Sequence, residues 1–210
     1  MTKILLADDH SLFREGLKQI LSKYDKFNVI DEASNSNEAI EKITRNDYDL
    51  IILDISMPGP GIFETINYIK SVKPELKILI LSMHPEEQYA IRLMKLGVYG
   101  YVSKDSAADE LVKAIDIILT NNKYFSDKVV KVITSSMFNT NDINPEVILS
   151  NREFEVMCLI GRGKTLKEIG EHLFISEKTV STYRSRILEK LSLKNNIELI
   201  KYVLVNKIIQ

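Results

Sequence analysis

The sequence predicts an α/β fold, a five-stranded parallel sheet doubly wound by helices, followed by a small all-α domain of four helices. Three observations carry this. The first 122 residues alternate short β-type apolar runs with longer segments of helical spacing. The texture then turns polar and turn-rich. From Ser150 onward no strand signal remains, while helix start and stop signals recur.

Ile4–Ala7, Asn28–Ala33, Leu50–Leu53, Ile78–Leu81 and Gly100–Val102 read as the strands. The unbroken apolar run Leu50-Ile51-Ile52-Leu53 suits a strand buried on both faces. Between the strands, apolar residues fall at helical spacing: Leu17, Ile20, Leu21; Ala39, Ile40, Ile43; Ile66, Ile69; Ala90, Leu93, Met94; Leu111, Ala114, Ile115, Ile118. Asp127–Phe138 reads as a modest helix, and Asn139–Asn144 before Pro145 as a linker. Ser150-Asn151-Arg152-Glu153 matches a capping box, with Leu149 and Phe154 placed for a hydrophobic staple. The remaining helices are expected over about 151–162, 165–173, 177–191 and 195–206. The expected division is 1–121, a partly helical linker 122–147, and 148–210.

With 210 residues, 45% hydrophobic and 27% charged, the chain has enough apolar material for two small cores, which excludes disordered and collagen-like classes. The single cysteine, Cys158, excludes an intrachain disulfide and lies in an apolar helical pattern, so it reads as a core residue. No run approaches the ~20 apolar residues of a membrane helix. Met1-Thr2-Lys3-Ile4 leads straight into a strand, so a cytoplasmic protein without a membrane partner is expected. The net charge of −1 hides an asymmetry. Residues 149–210 carry 11 Lys/Arg against 7 Asp/Glu, a net +4, whereas residues 1–148 carry a net −5. A basic helical part suggests a polyanion partner.

In open parallel sheets chemistry sits at the carboxyl ends of the strands. Here the first strand ends in Asp8-Asp9, the third in Asp54, the fourth in Ser82 and the fifth in Lys104. Singly, such residues read as a helix cap or a solvated surface group. Together they gather three carboxylates, a hydroxyl and an ammonium. Carboxylates so close repel, and a hard divalent cation such as Mg²⁺ relieves that. A carboxylate fixed beside such a cation, with an ammonium near, is suited to accept a phosphoryl group as an acyl phosphate. Asp54 is the candidate, ending a central strand before Met57-Pro58-Gly59.

Residues 1–121 resemble the receiver domain of two-component response regulators, through Asp8-Asp9, Asp54 with Met57-Pro58, Ser82, and Tyr101-Val102-Ser103-Lys104. The resemblance implies the flavodoxin-like order of strands. It implies that Asp54 takes its phosphoryl group from a sensor histidine kinase. It implies Mg²⁺ bound by Asp9 and Asp54, by the Ser56 carbonyl, and by Asp8 mainly through water. Lys104 would pair with the phosphoryl group; Ser82 would bond it and move inward, and Tyr101 would change rotamer. Ser56 and His84 would flank the acyl phosphate, with the His84 ring partly shielding it. Gly59-Pro60-Gly61 departs from the family's usual run, so the turn is expected to close differently.

Thr165–Leu173 and Ser176–Leu191 are separated by helix-turn-helix spacing, with Ser176 as an N-cap. Val180, Ile187, Leu188 and Leu191 form one stripe, opposite Lys178, Ser181, Thr182, Ser185 and Glu189. That small, polar, basic face suits a helix entering the major groove, while Lys164, Lys178, Arg184, Arg186 and Lys190 can neutralise phosphates. Arg152-Glu153, Gly163–Ile169, Ile175–Val180 and Ile187–Leu191 resemble the LuxR-type DNA-binding domain. With the receiver, the whole chain resembles the NarL/FixJ family. By position, Ser181, Thr182 and Ser185 would face base edges, and Thr179, Arg184 and Arg186 would serve backbone contacts or packing. Gly170, where relatives usually carry Ala, would loosen its helix by about 1 kcal/mol. The last helix resembles the family's dimerising helix.

The expected function is therefore that of a phosphorylation-switched transcription regulator, not an enzyme, pairing on duplex DNA and with RNA polymerase as a further candidate partner. Two other classes fit parts of the pattern. An aspartate-nucleophile phosphohydrolase would use the same acids, but Ser56 stands where such enzymes usually carry an acidic residue. An adaptor would use the helical domain to bind protein.

Overall fold

A computed structural model describes residues 1–84, 86–127, 129–130, 148–206 and 208–209, with backbone alone at 87 and 88. The helix expected over 127–138 and the linker 139–144 fall largely outside these residues. The chain divides into two compact units, Met1–Val130 and Lys131–Gln210. Each is described by itself.

The first unit alternates β1 (Thr2–Ala7), α1 (Ser11–Leu21), β2 (Phe27–Ala33), α2 (Ser36–Arg45), β3 (Leu50–Leu53), α3 (Ile62–Val72), β4 (Lys77–Ser82), α4 (Glu86–Lys95), β5 (Gly100–Ser103) and α5 (Ala107–Leu119). The five strands are all parallel, in the order β2-β1-β3-β4-β5. The predicted strands are found within a residue or two of their expected ends. Because side chains alternate across a strand, each inner strand feeds two layers. Ile4, Leu6, Leu50, Ile52, Leu79 and Leu81 join Leu17 and Leu21 of α1 and Leu111, Ile115 and Ile118 of α5 in one core. Leu5, Ile51, Leu53, Ile78 and Ile80, equally buried, point to the opposite face, where α2 lies against α3. Burial on both faces is why these runs are continuously apolar.

The departing turn after β3 closes through Gly59, whose φ of +124° suits glycine; a β-carbon there would meet Ser36 Cβ at 3.1 Å. The Ser36 amide donates to the Pro58 carbonyl at 3.0 Å, tying this loop to the start of α2.

The second unit contains α6 (Asn151–Gly161), α7 (Leu166–Leu173), α8 (Glu177–Lys190) and α9 (Asn196–Val205). Each start is capped by a side chain of the expected type. Ser150 and Glu153 form the capping box of α6, Thr165 and Glu168 that of α7, and Ser176 and Asn195 cap α8 and α9. Residues 153–160 of α6 are all buried because α7, α8 and α9 all pack on it; Cys158 is among them. Among the described residues, no helix is long and apolar enough to cross a membrane.

Gly170 corrects an expectation. A β-carbon there would stand 2.7 Å from the Ile175 carbonyl oxygen and 3.4 Å from the Glu177 amide nitrogen. These are backbone atoms of the turn into α8. The Ile175 amide donates to the Gly170 carbonyl at 2.9 Å. The glycine therefore lets α7 and the turn approach closely; it tightens the motif rather than loosening it.

Candidate functional site

The sheet brings the carboxyl ends of β1, β3, β4 and β5 to one rim. The amide of Asp54 donates to the Ala7 carbonyl at 2.9 Å, and that of Asp8 to the Ala33 carbonyl at 3.0 Å. Both carboxylates are thus fixed by the sheet's own ladder, and both are about 2% exposed or less. The Lys104 side chain, 6% exposed, reaches across from the end of β5. Its Nζ lies 2.7 Å from Asp8 Oδ2 and 2.8 Å from Asp54 Oδ2.

The ammonium does not neutralise the pocket. Ligand atoms of Asp8, Asp9, His10 and Asp54 all lie within 4.8 Å of one another. Burial pushes the Asp54 carboxyl above the ordinary range, and the Asp8 charge adds to this, while Lys104 opposes it. For Lys104, burial works against the charge, but the pairs with Asp54 and Asp8 win and hold its ammonium above the usual value. Three carboxylates against one fixed cation leave a site that a second, divalent cation would relieve. The donors are hard oxygens, the set that Mg²⁺ takes.

Ser82, fully buried at the end of β4, accepts from the His84 amide through Oγ at 3.2 Å. His84 turns its ring across the rim, where Nε2 lies 2.8 Å from Ser56 Oγ. The ring stacks on Tyr89 of α4, with centroids 5.6 Å apart. Tyr101 is buried and its hydroxyl donates to the His84 carbonyl at 2.5 Å, so its ring is turned inward. Asp8, Asp9, Asp54 and Lys104 thus meet at one rim, and Ser82, His84, Ser56 and Tyr101 are linked to one another through His84 beside the ends of β3 and β4.

Three residues here escaped the sequence reading. His10 Nδ1 lies 2.8 Å from Asp9 Oδ1 and 3.2 Å from Asp8 Oδ1. Phe13 sets its ring 4.9 Å from Lys104 Nζ, close enough for a cation–π contact. Arg14 donates from Nη1 to the Asp8 carbonyl. Their only signal was adjacency to the acid pair on the first turn of α1.

In the second unit, α7 and α8 form the expected pair, joined by a turn in which Phe174 adopts a left-handed conformation, φ 56°. The turn is pinned by Arg152, whose Nη2 donates to the Leu173 carbonyl at 3.0 Å. On α8, Val180, Ile187 and Leu188 are buried. Lys178, Thr182, Ser185 and Arg186 are exposed, and Thr179 and Ser181 are half-buried. Two hydroxyls are engaged locally: Thr182 donates to the Lys178 carbonyl at 3.0 Å and Ser185 to that of Ser181 at 3.1 Å. Their oxygen lone pairs remain as acceptors.

Two expected phosphate-binding cations also make contacts within the domain. Arg184 donates through Nε to Asn196 Oδ1, and Lys190 Nζ lies 2.7 Å from Glu153 Oε2. Both hold the domain together. Lys164, Lys178 and Arg186 remain at the exposed surface.

Comparison with known proteins follows the same division. Residues 4–116 match the response regulator receiver domain, and residues 147–203 match the bacterial regulatory proteins of the luxR family. The chain is 36% identical to oxygen regulatory protein NreC of Staphylococcus carnosus (strain TM300), over 99% of both chains. It is 34% identical to response regulator UvrY of Escherichia coli (strain K12), over 95% of this chain and 92% of that one. A solved structure of RcsB from Salmonella enterica serovar Typhimurium, bound to promoter rprA with the phosphomimetic BeF3⁻, is 28% identical. It superposes with a TM-score of 0.72 over 97% of this chain and 98% of that chain. The parallel 2-1-3-4-5 sheet, its acidic rim, the capped helix-turn-helix and these relatives agree: the chain belongs to the two-component response regulators that join a receiver domain to a LuxR-type DNA-binding domain.

Proposed function

We propose that Asp54 accepts a phosphoryl group from a phosphohistidine of a sensor kinase and that this controls how the second unit binds duplex DNA. The observation that carries the proposal is a single one: Asp54 is buried at the rim with Lys104 Nζ at 2.8 Å and the ligand atoms of Asp8 and Asp9 within 4.8 Å.

An Asp54 carboxylate oxygen attacks phosphorus, the phosphorus–nitrogen bond to the donor histidine breaks, and the imidazole leaves with the bonding pair. Asp9, Asp54 and the Ser56 carbonyl would hold Mg²⁺, with Asp8 acting mainly through water; the cation, when bound, neutralises charge on the transferring oxygens. Lys104 keeps one side of the pocket positive and can shift from Asp54 to a phosphoryl oxygen. The Ser82 hydroxyl, buried at the neighbouring strand end, donates to another. The His84 ring, held by Ser56 and Tyr89, covers the approach of water. Tyr101 bonds the His84 carbonyl, so movement at Ser82 and movement at Tyr101 are coupled through one residue.

On α8, Ser181, Thr182 and Ser185 would meet base edges, with Lys178, Thr179 and Arg186 on the phosphate backbone. Arg184 and Lys190 serve the scaffold. Relatives solved as RcsB dimers on DNA support binding by two copies, which makes the second contact effectively intramolecular. RNA polymerase would be a partner at the promoter, and the chain would work in the cytoplasm. Ser56, lacking the carboxylate of a general acid, supports one phosphoryl group per chain rather than turnover.

The test is DNA binding of the full chain with and without acetyl phosphate and Mg²⁺. Phosphodonor is expected to change the affinity of the native chain and to leave Asp54→Ala unchanged. An equal response in both chains would reject the proposal.

A further inference from the structure

Arg14 sits on the first turn of α1, with a side chain only 14% exposed. Its guanidinium uses two nitrogens on two different segments. Nε donates to Glu32 Oε2 of β2 at 3.1 Å, and Nη1 donates to the main-chain carbonyl of Asp8, just past β1. Glu32 is itself braced, since Lys18 Nζ lies 2.7 Å from Oε1 and Lys42 donates to its carbonyl. So the arginine is a strut between a braced edge strand and one peptide group.

That peptide joins the two acids. Asp8 is held by its amide on Ala33 and by its Oδ1 under the His10 amide at 2.8 Å, while its buried Oδ2 faces the Lys104 ammonium at 2.7 Å without a hydrogen bond. Asp9 has far less support. Its side chain is 31% exposed and its partner is the imidazole of His10, itself 65% exposed. The plane of the Asp8–Asp9 peptide sets where Asp9 leaves the rim and so where its carboxylate can reach, and the carbonyl of that plane rests on Arg14. A planar guanidinium fork suits this, because both donors are fixed in one geometry.

The placement also separates two roles. An arginine serving only as a counter-ion would face a carboxylate of the pocket. This one pairs with Glu32 on β2, outside the pocket, and with its other nitrogen bonds the Asp8 carbonyl. We propose that Arg14 is a positioning residue for the divalent cation, aiming the Asp9 carboxylate by holding the Asp8–Asp9 peptide plane. The inference rests on the acid rim being the cation site proposed above.

The experiment is calorimetric titration of the full-length chain with MgCl2, alongside thermal unfolding in a chelator. Arg14→Met keeps the length of the side chain and removes both donors; it is expected to weaken Mg²⁺ binding about tenfold, as loss of an outer support of a metal ligand does. Arg14→Lys reaches one partner and is expected to recover part of that. At saturating Mg²⁺ the rate of phosphorylation by acetyl phosphate should return to within about twofold of native, since the defect lies in holding the cation. A folded Arg14→Met that binds Mg²⁺ like the native chain overturns the inference and leaves the site reading intact. If Arg14→Met does not fold, Glu32→Leu decides, since it removes the acceptor for Nε: weaker Mg²⁺ binding supports the strut, and native affinity overturns it. A native chain that binds no Mg²⁺ overturns both readings.

Discussion

Asp8 and Asp54 are buried at a rim where two carboxylates share one lysine, whereas Lys178, Thr182 and Arg186 stand in solvent on a helix face. The first arrangement stores electrostatic tension, and few residue types could occupy it. The second carries little tension, because exposed cations and hydroxyls are interchangeable at small cost. The contrast teaches where identity is written. In the receiver unit it lies in the residues; in the DNA-binding unit it lies in the scaffold that presents them, as the contacts of Arg184 with Asn196 and of Lys190 with Glu153 illustrate.

The sharpest way to break this contrast is Lys104→Met. It leaves Asp8 and Asp54 buried together without their cation. A loss of stability on the order of 3 kcal/mol in metal-free buffer is expected, with added Mg²⁺ recovering part of it. Thermal unfolding with and without the metal measures both. An unchanged melting temperature would mean that the rim is no more constrained than the helix face.

Gly170→Ala probes the scaffold next. Helix propensity alone favours Ala by about 1 kcal/mol. The 2.7 Å approach to the Ile175 carbonyl predicts the opposite sign, a net loss of about 2 kcal/mol from overpacking against backbone. Denaturant unfolding decides between propensity and packing.

The capping box supplies a pH-resolved version. Burial raises the Glu153 carboxyl, but Lys190 and the Ser150 amide and hydroxyl lower it further, so the net shift is downward from 4.5. A folded-state value below the unfolded one stabilises the domain above pH 4.5, and the benefit is lost as pH falls through the folded value. Glu153→Gln should cost about 1 kcal/mol at pH 7 and progressively less below that point. A difference that stays constant with pH would remove the charge from the account.

The smallest effect is in DNA binding. Lys178→Ala should reduce the salt slope by about 1, whereas Lys190→Ala should leave it unchanged because that ammonium is paired with Glu153. Equal changes in the two variants would show that Lys190 leaves its partner on DNA.

Much of this was legible in the sequence, for a physical reason. Parallel strands buried on both faces are continuous apolar runs, so Leu50–Leu53 announces both its own ends and the position of Asp54 beyond it. Capping boxes are local, so Ser150 and Glu153 could be read four residues at a time. Arg14, Phe13 and His10 were illegible because their roles depend on where α1 lands, and no spacing rule reports that a helix side chain reaches back to a strand-end carbonyl. Gly170 misled for the same reason: propensity sees the helix, while the constraint comes from a turn it meets in space. Arg184, read as a backbone-contact or packing residue, and Lys190 also gain partners on α9 and α6 that no spacing rule reports.

The central claim concerns one carboxylate. Incubate the full chain with acetyl phosphate and Mg²⁺, and map the product by mass spectrometry after trapping the acyl phosphate by borohydride reduction. One phosphoryl equivalent per chain before reduction, and after it one homoserine at residue 54 that is missing from Asp54→Ala, is the expected result. Modification elsewhere, or an unmodified native chain whose Asp54→Ala form behaves identically, would contradict it.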